Sequence, residues 1–148
     1  MIQKIQIISN NICYGPPPEH ETEVEQHLTI SSSGRIWFNA YNFMGGFDNY
    51  KKGRTFQKSI GKENAEKLIS LIDEYTKTGP IIMATDCGSW DLKITNINKT
   101  SASFFGPLID EIYVREIPIS KTIREIIGID DMFLFDGNYS YEDEDNDE

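Results

Sequence analysis

The sequence predicts an α+β domain with an antiparallel or mixed sheet and two helices. The 148 residues include 22 isoleucines, whose β-branched side chains favour strands over helices. Several short segments alternate apolar and polar residues between turn-forming residues, whereas only two segments are predicted as helices. We expect residues 1–141 to form one domain and the acidic residues 142–148 to form a disordered tail.

The first half of the domain is predicted to contain strands followed by one helix. Ile2, Ile5, Ile7 and Ile8 indicate a first strand, and the glycine and prolines of 15–18 indicate a stiff connector. Alternation in residues 24–43 predicts a hairpin with a turn at 32–34. Residues 54–59 are predicted as a short strand. Apolar residues at helical spacing predict a helix over 62–76, which ends before a Gly-Pro pair.

The register of this first hairpin decides which side chains share a face. If Ser31 pairs with Arg35, an aliphatic set lies on one face and a polar and aromatic set on the other. The aliphatic set is Leu28, Ile30, Ile36, Phe38 and Ala40, and the opposite set is His27, Thr29, Trp37, Asn39 and Tyr41. We expect helices to cover the aliphatic face. The opposite face is then either exposed for binding or covered by a second small core.

The second half of the domain is predicted to follow a similar order. Residues 81–83 are a brief strand candidate, 90–95 and 100–105 form a second hairpin, and a further strand lies near 113–117. A helix begins with Ser120 as its N-cap and ends at Gly128. The continuous apolar run 132–135 predicts an interior strand that is buried on both faces.

A shift of 64 positions relates the two hairpins. It places Leu28 on Leu92 and Gly34 on Asn98. Asparagine is the residue that best replaces glycine at a left-handed turn position, so this match is physically sensible. The sequence therefore suggests two strand-strand-strand-helix units, although chance similarity between two amphipathic hairpins explains the match equally well.

The net charge of −10 is concentrated in two short segments. Four of the 24 acidic residues are Glu19, Glu21, Glu23 and Glu25, and six more lie in residues 142–148. The rest of the chain carries 14 acidic and 14 basic residues, so it is formally neutral. A net acidic surface disfavours non-specific binding to nucleic acid or to anionic membranes, because phosphate contacts need lysine and arginine.

The sequence contains no recognisable targeting or membrane-spanning segment. Residues 1–10 lack the features of a signal peptide, and no apolar stretch approaches the roughly 20 residues of a spanning helix. Cys13 and Cys87 lie 74 positions apart without a CxxC motif, and we expect them to be free thiols in a reducing compartment. The expected location is therefore cytoplasmic.

The acidic segment GPPPEHETEVEQH, residues 15–27, is the first candidate site. In an extended chain, alternate residues lie on one face about 6.5–7 Å apart. That face would carry Glu19, Glu21, Glu23, Glu25 and His27. The spacing is too wide for all five side chains to bind one ion, so we predict no metal site and no cofactor. The segment is predicted as a solvated edge strand, with recognition of a basic partner as the alternative.

A basic segment, residues 50–62, follows the first hairpin. Its basic residues, with no acidic residue between them, are Lys51, Lys52, Arg54, Lys58 and Lys62. Gly53 is isolated, so the segment lacks the glycine pattern of a phosphate-binding loop. A solvated mixed surface is predicted rather than a nucleic-acid interface. Another interpretation is that these bases meet the acidic segment or the tail.

The segment DCGSWD, residues 86–91, places an acid, a thiol and a hydroxyl in a turn. Nucleophilic catalysis by cysteine needs a base, and His20 and His27 are the only histidines in the chain. Nothing in the local sequence brings either histidine to Cys87. We therefore predict no catalytic residue, and we expect Cys87 to pack as a small apolar side chain.

The polar and aromatic hairpin face is the second candidate site, because Trp, Tyr and Arg are enriched at binding hot spots. We predict a non-enzymatic protein-binding module that engages a basic partner, as an immunity, inhibitor or adaptor protein does. The analogy with immunity proteins rests on small size and acidic character alone. The predicted partner-binding residues are Glu21, Glu23, Glu25, Arg35, Trp37 and Tyr41. The alternative is a small enzyme or ligand-binding domain that uses Trp37 and Tyr41 together with Asp86, Cys87 or His27.

Overall fold

A six-stranded antiparallel sheet and two helices form the fold of the described part of the chain. The structure is a computed structural model that describes residues 1–12, 16–46, 49–79, 88–108 and 110–137. In chain order the elements are β1 (Ile2–Asn10), β2 (Glu23–Ser31), β3 (Arg35–Gly46), β4 (Asn49–Ser59), α1 (Lys62–Thr78), β5 (Ser89–Asn96), β6 (Ser101–Pro107), β7 (Tyr113–Val114), β8 (Ile117–Pro118) and α2 (Ile119–Ile127). The large sheet has the order β4-β3-β2-β1-β5-β6, and β7 pairs with β8. This architecture confirms the predicted α+β class.

The first hairpin, β2–β3, has the register that the sequence predicts. Ile30 lies opposite Ile36, and Leu28 lies opposite Phe38. These four side chains are buried in one core with apolar residues of both helices. We call the face of the sheet that carries them the inner face, and the opposite face the outer face. Gly34 takes a φ of 101° in the turn, as its predicted left-handed position requires.

The second hairpin, β5–β6, lies on the other side of β1 at the offset of 64 residues that the sequence suggests. Ile7 of β1 lies between Leu28 and Leu92. The return strands differ, because Leu28 faces Phe38 whereas Leu92 faces Phe104, so the second connection is two residues longer. A duplication of one unit therefore stays a hypothesis.

The longer second turn contradicts one expectation. Lys99, with a φ of 73°, takes the left-handed conformation that was expected of Asn98. The Oδ1 atom of Asn98 instead accepts hydrogen bonds from the backbone N–H and the hydroxyl of Thr100, at 3.1 and 2.6 Å. This side-chain turn moves the left-handed position one residue further along the chain.

The acidic segment does not form an edge strand, so that prediction is wrong. β2 begins at Glu23 and lies between β1 and β3, in the interior of the sheet, while Glu19 and Glu21 precede it. A register shift between Glu23 and Glu25 also breaks the alternation on which a shared face depended. Charges at every second position are typical of an edge strand, but strand order is decided by contacts that are distant in sequence.

The start of α2 is capped differently from the prediction. Pro118 is the N-cap residue, so Ser120 lies inside the helix. The carboxylate of Glu111 accepts hydrogen bonds from the backbone N–H groups of Ser120 and Lys121, both at 2.9 Å. A side chain from outside the helix thus satisfies two of its free donors. The helix ends at Gly128 with a φ of 85°, as predicted.

Residues 132–135 are buried, but they do not form the predicted strand. They follow a turn-rich path, and Leu134 has a φ of 47°. The Ser9 hydroxyl donates to the Leu134 carbonyl at 2.6 Å, and the Phe133 N–H donates to Gln26 Oε1 at 2.6 Å. These side chains satisfy backbone groups that a strand ladder would otherwise satisfy. An apolar run predicts burial, but it does not distinguish a strand from an irregular segment.

Some predictions concern residues outside the described ranges. These are the strand at 81–83, the side chains Cys13, Asp86 and Cys87, and the tail 142–148. The strand expected near 113–117 corresponds to β7 and β8. Neither α1 nor α2, the helices of the described ranges, has the length and apolar composition that a membrane-spanning segment requires.

Candidate partner-binding face

Within the described residues, no helix or second sheet packs on the outer face of the large sheet. Both helices contribute to the core on the inner face. Apart from Ile8, the outer face presents polar and aromatic side chains at alternate positions of its strands. From four neighbouring strands its residues include Lys4, Gln6, Ile8, Asn10, Glu25, His27, Thr29, Arg35, Trp37, Asn39, Tyr41, Asp91 and Lys93. This open face contains the candidate site.

Glu25 lies at the centre of a hydrogen-bonded cluster on the outer face. One carboxylate oxygen is 2.8 Å from Nε2 of His27, and the other accepts a hydrogen bond from Nδ2 of Asn10 at 3.2 Å. The Asn10 amide also donates to the Tyr50 hydroxyl at 3.2 Å. The ring of His27 lies 4.7 Å from that of Tyr41. Side chains from β1, β2, β3 and β4 therefore hold the Glu25 carboxylate in place.

Two carboxylates of this face have opposite pKa shifts. The hydrogen bond from His27 lowers the pKa of Glu25, and this effect outweighs its partial burial. Partial desolvation raises the pKa of Asp91, and the negative charge of Glu25 raises it further. No lysine or arginine of the described residues forms an ion pair with Asp91. Ionised Asp91 therefore adds negative potential to this part of the outer face without an ion-pair partner among the described residues.

The outer face has an acidic end and a basic end. The acidic end contains Glu25, opposite Asn10 of β1, and Asp91, opposite Ile8 on the other side of β1. Glu21 precedes β2 at the same end, where its N–H donates to the Phe43 carbonyl at 2.7 Å. The basic end contains Lys4, Lys93 and Arg35.

A shallow hollow lies at the basic end. It has a volume of about 380 Å³ and is lined by Gln3, Lys4, Thr29, Ser31 and Trp37. Trp37 forms one wall of this hollow and is itself half-buried. The lining residues other than Trp37 have polar or charged side chains, so the hollow suits a small group that stacks on the indole and accepts hydrogen bonds.

The structure brings four of the six predicted partner-binding residues onto the outer face. Glu25 and Tyr41 lie at the acidic end, whereas Trp37 and Arg35 lie toward the basic end. Trp37 and Tyr41 are half-buried, and Arg35 is exposed. Neither aromatic ring belongs to the hydrophobic core of the described residues, so the alternative of a second core receives no support. A role of these residues in partner binding stays a prediction.

Glu23 is paired within the protein. Its carboxylate lies 2.9 Å from Arg54, which also reaches Asp131 at 2.9 Å. Gln26 donates to Glu23 at 3.0 Å, and the Arg54 guanidinium lies 5.3 Å from the ring centroid of Phe38 on the inner face. The acidic segment thus meets the basic segment through this ion pair, which was one of the interpretations of the sequence. Glu23 is therefore a poor candidate for partner contact.

Three residues of the acidic end were missed by sequence reasoning. Asn10, Tyr50 and Asp91 come from β1, β4 and β5, and only the strand order brings them to Glu25. The shift of 64 positions contained a usable signal for Asp91, because it aligns Asp91 with His27. In the structure these two residues lie opposite Ile8, one on each side of β1. The sequence contained no comparable signal for Asn10 or Tyr50.

The enzymatic alternative depends on residues that are only partly described. His27 contacts Glu25 and Tyr41 on the outer face, while Asp86 and Cys87 lie outside the described ranges. Within those ranges, no group of three or more potential metal ligands comes together. The contacts that the described residues of this site make are the His27–Glu25 ion pair, the hydrogen bonds of Asn10 and the contact of the His27 and Tyr41 rings.

Comparison of the chain with protein-family models and with curated protein sequences found no match.

Proposed function

We propose that the protein is a non-enzymatic protein-binding module whose outer face engages a partner that presents lysine or arginine side chains. One observation carries the proposal: an uncovered sheet face combines Trp37 and Tyr41 with the carboxylates of Glu25 and Asp91. Immunity, inhibitor and adaptor proteins are the classes that such a module would serve. The wide separation of Cys13 and Cys87 in the sequence, without a CxxC motif, supports a cytoplasmic location within this proposal.

Charge at the acidic end supports a basic partner. Glu25 is held by His27 and Asn10, so it is ordered before a partner arrives. Asp91 is partly desolvated and repelled by Glu25, which raises its pKa. A lysine or arginine placed between the two carboxylates would relieve this repulsion, and binding would then lower the pKa of Asp91.

The aromatic residues supply the second part of the proposed interface. Trp37 and Tyr41 are alternate residues of β3, two positions before and two positions after Asn39. Both rings therefore project on the same face as the acidic end. Large rigid rings that become fully buried on binding slow dissociation, whereas surface charges mainly accelerate association. Lys4, Lys93 and Arg35 at the basic end would restrict the orientation in which a basic partner docks.

The test separates these two contributions. Proteins captured from a cell extract by the wild type at low and high salt are identified, and association and dissociation rates are then measured with the purified partner. For the double variant Glu25→Gln with Asp91→Asn, we expect association to slow by about tenfold and to lose most of its salt dependence. For Trp37→Ala, we expect faster dissociation with a similar association rate.

A matched control removes two charges from elsewhere. Glu63 on α1 and Glu125 on α2 are exposed and lie on helices that cover the opposite face. Glu63→Gln with Glu125→Gln should therefore leave both rates unchanged. If the two double variants slow association equally, the effect reflects net charge alone and the proposed face is wrong. Circular dichroism of each variant controls for folding.

The hollow beside Trp37 favours a second candidate function, the binding of a small anionic or polar ligand. Lys4 lines the hollow and Trp37 provides a stacking surface. Under this alternative, Lys4→Gln and Trp37→Ala would abolish binding of the ligand, and changes at Glu25 and Asp91 would not affect it. Screening of a library of small anions by the fluorescence of Trp37 in a Trp90→Phe background would distinguish the two functions.

A further inference from the structure

The two edges of the sheet differ in their protection against pairing with another strand. β4 carries Lys51, Lys52, Arg54 and Lys58, and register shifts interrupt its pairing with β3. β6, with the sequence SASFFGP, has no charged residue and pairs with β5 without any register shift. Charges and bulges are the features by which proteins prevent edge-to-edge pairing. β4 is therefore protected, whereas β6 is not.

Alternate residues of β6 point their backbone groups away from β5. The Thr100 carbonyl accepts from the Asn96 N–H at 2.8 Å, and the Leu108 N–H donates to the Gly88 carbonyl at 2.9 Å. In an antiparallel strand the N–H and C=O of one residue point to the same side, and successive residues point to opposite sides. Because Thr100 and Leu108 bond to residues 96 and 88, the even-numbered residues of β6 face β5. The residues whose N–H and C=O both face away are Ser101, Ser103 and Phe105, and the carbonyl of Pro107 faces away as well.

We propose that β6 pairs antiparallel with β6 of a second copy of this chain, around a two-fold axis at Ser103. In this register Ser103 lies opposite Ser103 of the second copy, and Ser101 lies opposite Phe105 of the second copy. Each of the three outward-facing residues then donates one hydrogen bond and accepts one. The two sheets become one continuous sheet. This inference does not depend on the proposed function, because the outer face remains accessible in the dimer.

Two registers form the same number of hydrogen bonds between the copies, and the one centred on Ser103 uses both backbone groups of Ser101, Ser103 and Phe105. A shift of two residues toward Pro107 would place a residue without an N–H opposite Ser101. A shift of two residues in the other direction would leave Phe105 without a partner in β6. The first shift keeps the number of hydrogen bonds but brings Phe104 opposite Phe104 of the second copy, whereas the second shift loses hydrogen bonds, so side-chain size favours the two-fold axis at Ser103.

Side-chain sizes across the proposed pair also match. On the outer face Phe105, which is 76% exposed, lies opposite the small Ser101 of the second copy and can spread over it. On the inner face Phe104 lies opposite Ala102 of the second copy. Because the strand is uncharged, two copies meet there without repulsion between like charges. A large residue faces a small one at each of these positions.

A groove on the inner face adds apolar surface beside β6. It has a volume of about 770 Å³ and lies between α1 and the β5–β6 hairpin, with Ile2, Ile69, Ile94 and Phe104 among its lining residues. In the proposed dimer, Phe104 and Ala102 of the second copy extend the wall of this groove. The pairing is still confined to one strand from each copy, so we expect a dissociation constant in the micromolar range.

The first experiment is sedimentation analysis at protein concentrations from about 1 µM to 1 mM. We expect the wild type to pass from a 16.9 kDa monomer to a dimer of twice that mass. Ser103→Lys places two like charges opposite one another at the axis and should weaken association at least tenfold. Gln57→Lys adds the same charge to the exposed surface of β4 and should associate like the wild type.

Charge reversal at the axis tests the register. Ser103→Asp alone should also be monomeric, but an equimolar mixture of Ser103→Lys and Ser103→Asp should form a heterodimer. Recovery in the mixture requires that position 103 meets itself, which a contact elsewhere on the surface would not produce. A wild type that remains monomeric at the highest concentration overturns the proposal, as does equal weakening by Ser103→Lys and Gln57→Lys.

Amide hydrogen exchange provides an independent measurement on the unmodified protein. The N–H groups of Ser103 and Phe105 face away from β5, so their exchange should slow at least tenfold as the protein concentration rises through the dissociation constant. The N–H groups of Ala102 and Phe104 bond to β5 and should be protected at every concentration. If dimers form while Ser103 and Phe105 remain unprotected, the two copies meet at another surface and the proposal is wrong.

Discussion

The β2–β3 and β5–β6 hairpins flank β1, and each places one residue opposite Ser9 on the inner face. In the first hairpin this residue is Gln26, which donates to the Asp131 carbonyl at 3.2 Å and accepts from the Phe133 N–H at 2.6 Å. In the second hairpin it is Trp90, whose ring packs edge-on against Phe135 at a centroid distance of 5.0 Å. The same segment, 131–135, is thus held through its backbone by one hairpin and through a side chain by the other.

The two hairpins also differ in what surrounds them. The first turn supports α1, since Ile60 donates to the Gly34 carbonyl at 2.8 Å just before the helix begins. The second turn, 97–100, is exposed. β4 pairs with β3, whereas no strand of the described residues pairs with the outer edge of β6. The first hairpin therefore lies inside the sheet with its turn against α1, whereas the second hairpin lies at the edge of the sheet with an exposed turn.

The largest expected effect tests the two ways of holding residues 131–135. Trp90 is 5% exposed, and its ring fills the space above Gly106, so Trp90→Ala should lower the free energy of unfolding by about 3–5 kcal/mol. Gln26→Leu keeps the volume but leaves the Phe133 N–H without an acceptor, and we expect a loss of about 1–3 kcal/mol. Urea denaturation measures both.

Ser89→Ala, at an exposed position beside Trp90, is the control and should change stability by less than about 0.5 kcal/mol. If Gln26→Leu proves as costly as Trp90→Ala, then backbone hydrogen bonds rather than aromatic packing dominate the anchoring of this segment. A loss below 1 kcal/mol for Trp90→Ala would mean that Phe135 repacks against other core residues.

The next effect compares the two turns. A Cβ on Gly34 would lie 2.6 Å from the carbonyl carbon of Gly61, at a φ of 101°, so Gly34→Val should lose at least about 2 kcal/mol. Lys99→Gly relieves a left-handed φ in an exposed turn and should lie within about 1 kcal/mol of the wild type. Thermal unfolding followed by circular dichroism measures the difference.

Asn98→Gly sharpens the comparison of the turns. It removes the acceptor of two hydrogen bonds from Thr100, so we expect a modest loss of about 0.5–1.5 kcal/mol. If Asn98→Gly is neutral and Lys99→Gly is clearly destabilising, the second turn follows the first more closely than its geometry indicates.

Local patterns predicted the parts of the fold that depend on local geometry. Alternation around a short turn was sufficient to give the register of β2–β3 and the face that Trp37 and Tyr41 share. Apolar spacing placed α1 within two residues of its observed end at Thr78. Both patterns have a fixed period set by the backbone, so neighbouring residues contain the necessary information.

Features that depend on distant contacts could not be predicted in this way. The interior position of β2 and the burial of residues 132–135 without a ladder are decided by partners far along the chain, such as Ser9 for Leu134. The same dependence on distant contacts explains why only part of the candidate site was predicted. Glu25 and Tyr41 were found by alternation, whereas Asn10 and Asp91 join them only through the pairing of β1 with both hairpins.

The smallest expected effect concerns the positions that flank Ile8 on the outer face, where the first hairpin has His27 and the second has Asp91. The hydrogen bond from His27 lowers the pKa of Glu25 in the folded protein. Ionised Glu25 therefore stabilises the fold at pH values above the pKa that Glu25 has in the unfolded chain. This stabilisation is lost as the pH falls through the pKa of Glu25 in the folded protein. Asp91 behaves oppositely. Its raised pKa means that the folded state loses stability as Asp91 ionises with rising pH.

Replacing Glu25 by glutamine should therefore shift the pKa of Asp91 downward, because the repelling charge is removed while the partial desolvation remains. The shift is read from the carboxyl carbon of Asp91 in a ¹³C NMR titration. Glu21→Gln is the matched control: it removes a charge from the same acidic segment, but Glu21 is not among the causes of the Asp91 shift. An Asp91 pKa that is unchanged by Glu25→Gln, or lowered equally by both variants, would show that the two carboxylates do not interact across β1. The acidic end would then lack the repulsion that a basic partner is proposed to relieve.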